Sequence, residues 1–140
     1  MKKLILFESI LILFFILAWN VSKAEEVPLY CELKRFEYKM DKDDDELTVD
    51  RYAPGATDFF YFDTESKNII WEIGSAEKKF AFKKEYKKSY YAEFRTFDFP
   101  NYFESIDIDK KSHRIYLKGH ENNKVESIRR YECVIKTRIL

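Results

Sequence analysis

The chain has 140 residues, with 25 basic and 25 acidic side chains and a formal net charge of zero. That balance excludes a dedicated nucleic-acid binder, which carries a strong basic excess. Three glycines and three prolines exclude collagen-like and glycine-rich linker classes, and 18% aromatic residues exclude a disordered chain. The N-terminus reads as a secretory signal peptide. Lys2 and Lys3 form a positive region, residues 10–19 (ILILFFILAW) form an uncharged apolar run, and Val21-Ser22-Lys23-Ala24 supplies small residues before a cut after Ala24. An uncleaved anchor needs about 20 apolar residues, and extending the run back to Leu4 would bury Glu8. The expected organisation is therefore a signal peptide over residues 1–24 and one domain over residues 25–140, with no stable membrane span after cleavage. The mature chain keeps 22 basic and 24 acidic residues.

The mature chain reads as short strands parted by charged turns. Leu29, Cys31 and Leu33 alternate with Tyr30, Glu32 and Lys34. After Arg35 the apolar phase passes to Phe36, Tyr38 and Met40, which predicts a β-bulge. Residues 41–46 (DKDDDE) predict a turn, residues 47–52 a short strand, and Ala53-Pro54-Gly55-Ala56 a break. Residues 58–63 (DFFYFD) and 68–73 (NIIWEI), bridged by residues 64–67, predict a hairpin. Phe80 and Phe82 suit a strand, although residues 76–89 could also place aromatics on one helical face. An aromatic strand follows over 90–99, then a second hairpin from residues 103–109 and 114–118. A turn over 119–124 and a last strand over 126–136 complete the chain.

The two predicted hairpins share a pattern. Phe62-Asp63-x-x-Ser66-x-x-Ile69 and Ile108-Asp109-x-x-Ser112-x-x-Ile115 both read apolar-Asp-x-x-Ser-x-x-Ile. Asp and Ser side chains can bind the backbone N–H groups of such a turn. The pattern expresses either one good turn used twice or an old duplication. Cys31 and Cys133 are the two cysteines, one near each end of the mature chain. In an exported protein such a pair forms a disulfide, worth about 4–5 kcal/mol in the chain-entropy account. The whole predicts an all-β antiparallel meander of about 7–8 strands closed as a small barrel or sandwich.

This layout resembles a group of small exported bacterial β-proteins with Cys in the first and last strands and hairpins of this type. The features that carry the resemblance are Cys31, Tyr131-Glu132-Cys133 and the two echoed hairpins. It implies an antiparallel meander and brings no activity.

Chemistry-bearing patterns are sparse. Asp41-x-Asp43-x-Asp45 has the opening spacing of a calcium loop, but Glu46 stands where glycine is needed and Tyr52 where glutamate is needed. Lys78, Lys79, Lys83, Lys84, Lys87 and Lys88 interleave with Phe80, Phe82 and Tyr86. This suits either a lysine-protected edge strand or a surface for polyanions or anionic lipid. His113 and His120 are read as exposed turn residues, and Ser75 lacks a nucleophile elbow. No metal, cofactor or catalytic residue is therefore assigned. The aromatic excess points to Tyr61, Trp71, Tyr91 and Phe97 as ligand or contact side chains. The expected function is a non-enzymatic exported binding or interaction protein of the bacterial envelope, in the periplasm or outside the cell. Its partner would be an envelope protein or a small ligand, with no nucleic acid. The alternatives are a small-molecule carrier with an aromatic-lined interior and, third, a hydrolytic enzyme.

Overall fold

The computed structural model describes residues 25–135. The signal peptide read at residues 1–24 lies outside them, as does the chain end at 136–140. Nine antiparallel strands and no helix make up the described chain: β1 (Glu26–Tyr38), β2 (Thr48–Asp50), β3 (Thr57–Asp63), β4 (Ile69–Ile73), β5 (Ala76–Glu85), β6 (Ser89–Arg95), β7 (Tyr102–Asp109), β8 (Ile115–Glu121) and β9 (Lys124–Ile135). From β3 onward each strand pairs with the next, and β9 returns to pair with β1. Eight strands thereby close into a barrel, and β2 is an extra strand on the upper half of β1. Closure removes the free edges that a sandwich would leave.

β1 is long enough to serve three neighbours. Glu26–Glu32 pairs β3, Phe36–Tyr38 pairs β2, and the opposite edge pairs β9 along most of its length. The register on β9 slips between Leu33 and Arg35, so Lys34 is the extra residue of a bulge. Leu33 can then point inward below the bulge and Phe36 above it, as the phase shift in the sequence predicts.

Inward positions follow strict alternation. Leu29, Cys31, Phe60, Ile69, Phe80, Ala92, Ile106 and Ile115 are fully buried, with Leu33, Ile108, Leu117 and Tyr131 nearly so. Phe60 stacks on Trp71 at 5.9 Å and meets Tyr131 edge-on at 5.3 Å, and Phe80 packs on Phe94 at 5.8 Å. Each Phe buried in this way stabilises the fold by about 1.5–3 kcal/mol. Cys31 and Cys133 face each other directly across β1 and β9, with Cα atoms 4.0 Å apart, and form the disulfide. It locks the seam of the barrel.

The echoed hairpins adopt one conformation. Asp63 Oδ1 accepts the N–H groups of Glu65 and Ser66, and Asp109 Oδ1 those of Lys111 and Ser112. Ser66 and Ser112 each accept the N–H two residues on, from Asn68 and Arg114. Lys67 and His113 both take positive φ, 59° and 60°. Two turns four strands apart in the ring therefore repeat one another bond for bond.

Several sequence expectations are revised. Residues 76–85 are strand, so the helical option over 76–89 does not hold. β5 lies between β4 and β6, so its lysines do not protect an edge. β6 stops at Arg95, four residues before the expected end, and Phe97 and Phe99 fall in the following loop. β8 runs on to Glu121, which leaves Asn122 and Asn123 as a two-residue turn with φ of 51° and 64°. Two positive φ values define the primed turn that matches strand twist, and Asn tolerates them. His120 is consequently a strand residue, not a turn residue.

Candidate functional site

Two ends of the barrel can be distinguished. The lower end holds the start of β1 and the loops 64–68, 86–88 and 110–114; the upper end holds the loops 39–47, 51–56, 74–75, 96–101 and 122–123. The candidate site is the upper end, where alternation carries polar side chains into the barrel. Lys78 lies two residues from Phe80 and so faces inward, and Glu104 lies two residues from Ile106 and does the same.

Lys78 Nζ donates to both Glu104 carboxylate oxygens at 3.0 Å. The ammonium also lies over the rings of Phe94 and Trp71, at 5.0 and 5.4 Å. Tyr102 donates its hydroxyl to Glu104 Oε1 at 3.1 Å. Burial, then the neighbouring Glu104 charge, push the Tyr102 hydroxyl up to about 12. Tyr102 has room because residue 119 is glycine. A Cβ there would stand 2.7 Å from Ser127 Oγ and 3.1 Å from the Tyr102 hydroxyl. On the far wall Arg129 covers the Phe36 ring at 4.3 Å, and Tyr131 donates to Asp58 Oδ2 at 2.8 Å. Burial above all, with the Asp58 bond, drives the Tyr131 hydroxyl far above its usual range. Trp71 Nε1 is buried and donates to no group among the described residues. A buried donor of this kind is rare.

The upper end exposes large apolar side chains among its charged ones. Among the described residues ten large hydrophobic side chains are exposed, and seven of them belong to the upper end: Met40, Val49, Tyr52, Ile73, Phe97, Phe99 and Tyr102. Tyr52 is 98% exposed and Phe97 is fully exposed. Large aromatics held out in water on loops mark a contact surface.

The four aromatics singled out in the sequence do not share one site. Trp71 lines the upper interior and Phe97 crowns the same end. Tyr61 lies on the outer face of β3, where its hydroxyl donates to Glu72 at 3.0 Å. Tyr91 lies on the outer face of β6 and donates to Glu93 at 2.8 Å. Burial and that carboxylate push the Tyr91 hydroxyl up to about 12. Sequence reading passed over Tyr102, Glu104 and Arg129, and it placed Lys78 in a surface lysine stretch rather than on Glu104 inside the barrel. The period-two alternation around Phe80 and Ile106 was the signal that places Lys78 and Glu104 inside.

A second polar cluster sits on the outer face of β6–β8. Ser105 Oγ lies 2.9 Å from His120 Nε2, and the His120 ring lies flat on Phe103 at 4.3 Å. Burial first, then Lys118, hold the imidazole below its usual range, while Glu93 opposes the shift. Ser105 is only 1% exposed, so its hydroxyl is not presented to a substrate. His113 lies in a lower loop and His120 near the upper end of β8, so the two do not meet. Among the described residues no three His, Cys, Asp or Glu side chains converge as a metal site. Nor is any helix among them long and apolar enough to cross a membrane.

No protein-family model, curated protein or solved structure matches the chain.

Proposed function

We propose that the chain is a non-enzymatic exported binding protein of the bacterial envelope that recognises a partner protein with its upper end. The observation that carries this reading is the set of exposed aromatics on the upper loops, Tyr52, Phe97 and Phe99 foremost, at the barrel end that holds the Lys78–Glu104 cluster. Tyr and Phe supply large contact area at low entropic cost, and such residues dominate binding energy at protein interfaces. The loops around them hold Asp41, Asp43, Asp44, Asp45, Glu46 and Asp98 against Lys39, Lys42 and Arg51, which suits a basic partner surface. Export is supported by the leader pattern and by the compatible disulfide.

The test is site-specific photo-crosslinking in the producing cell. A photoreactive residue at Phe97 or at Tyr52 should give one discrete protein adduct, and the same adduct from both. The residue placed at Val134, at the other end, should give none. Adducts of equal pattern from all three positions, or none from Phe97 and Tyr52, would reject the proposal.

A further inference from the structure

The lower end has the opposite character. Its three loops hold Lys67, Lys87, Lys88, Lys110, Lys111 and Arg114 with Glu65 as the one carboxylate. Glu25 and Glu26 at the start of β1 add two exposed carboxylates, and Glu132 pairs Arg114 at 3.6 Å, but the other strand-end acids are occupied. Asp63 and Asp109 are spent on backbone N–H groups, and Glu85 takes Lys67 at 3.0 Å and Lys110 at 3.9 Å. Lys87, Lys88 and Lys111 form no ion pair among the described residues. The platform is built: Lys110 N–H donates to the Lys88 carbonyl at 2.9 Å and ties two basic loops together. Beside them a concavity of about 460 Å³ is bounded by Lys88, Arg114 and Lys118 with the hydroxyls of Ser89, Ser112 and Tyr116. Asp107 and Asp109 also line it. Tyr86 projects from the loop between β5 and β6, 46% exposed, with the Lys84 ammonium 4.9 Å from its ring centroid.

From this end we infer that the barrel docks peripherally on an anionic phospholipid surface, with Lys87, Lys88 and Lys111 meeting headgroup phosphates and Tyr86 at the interface. One feature favours a membrane over a soluble polyanion. The cations crown a barrel end around a projecting tyrosine, which is the arrangement of an interfacial anchor. Docking here would turn the aromatic upper end away from the membrane.

The experiment is co-sedimentation of the disulfide-bonded protein with vesicles of phosphatidylcholine alone or with 30 mol% phosphatidylglycerol, at about 0.1 M salt. Binding to the anionic vesicles alone, reversed at about 0.5 M salt by screening, is expected. The triple variant Lys87→Gln/Lys88→Gln/Lys111→Gln should lower partitioning about 100-fold. An unchanged thermal midpoint would show that this variant is folded. Phe97→Ser at the upper end should leave partitioning unchanged. Equal binding to both vesicle types, no binding to the anionic ones, or an unaffected triple variant would overturn the inference. So would saturable binding to inorganic phosphate or soluble polyphosphate without vesicle binding, which would make the lower end an anion site instead.

Discussion

The most consequential single residues are those that alternation carries into the barrel against their polarity. Lys78 and Glu104 are mostly buried and satisfy each other, so removing one partner leaves the other charge stranded. Glu104→Ala should cost about 3 kcal/mol, while the double variant Glu104→Ala/Lys78→Met should recover much of the loss. Chemical denaturation of the two single variants and the double variant measures that coupling. Gly119→Ala drives a Cβ into Ser127 and Tyr102, and the resulting overpacking should cost about 1–3 kcal/mol. On the outer face His120 binds its proton less readily when folded than its ordinary value of 6.5 implies. The unfolded chain then holds more protons just below pH 6.5, so stability falls as pH drops through that window. His120→Gln should flatten the slope of the thermal midpoint between pH 6.5 and 5, and an unchanged slope would assign the loss elsewhere.

At the scale of elements, turns decide the register. The Asp63 and Asp109 carboxylates sit below their ordinary range because backbone N–H groups bind the charged form. Stability from each is present above pH 3.8 and is lost as pH falls through the lowered folded value. Asp109→Asn should keep the turn with a smaller pH response, and Asp109→Ala should weaken it at neutral pH. Amide hydrogen exchange in β7 and β8 reads the difference. The turn between β8 and β9 has Asn at both positive-φ positions. Asn123→Gly should raise stability by a few tenths of a kcal/mol, since Gly adopts the left-handed region without a Cβ penalty. A drop in the thermal midpoint would contradict that geometry.

For the molecule as a whole, the seam between β1 and β9 joins residues 102 apart in sequence. Cys31→Ser/Cys133→Ala should cost about 2–5 kcal/mol, read as a lower denaturant midpoint. Reducing agent should produce a similar drop in the parent protein and none in the variant. The two barrel ends also give the molecule an electrical polarity, acidic above and basic below. Salt should therefore weaken any association at either end while leaving the core unaffected. Intact mass of protein from the producing cell should begin at Glu25 and be two hydrogens light, and a full-length mass would remove the case for cleavage.

Much of the architecture was legible in the sequence because period-two alternation and turn chemistry are local. The bulge after Leu33 showed as a phase shift, and both Asp-x-x-Ser hairpins showed as a repeated pattern. The disulfide showed as a lone pair of cysteines. What alternation could not say is which strand closes on which. Only the pairing of β9 with β1, an event between chain ends, makes a barrel rather than a sandwich, and the pairing of β5 with both β4 and β6 denies it the edge its lysines suggested. The same closure decides the site. Trp71 and Lys78 on the β4–β5 hairpin, Glu104 on β7 and Arg129 on β9 are remote in sequence, and each alone reads as an ordinary strand residue. They share one interior because the sheet curls until its two faces become an inside and an outside.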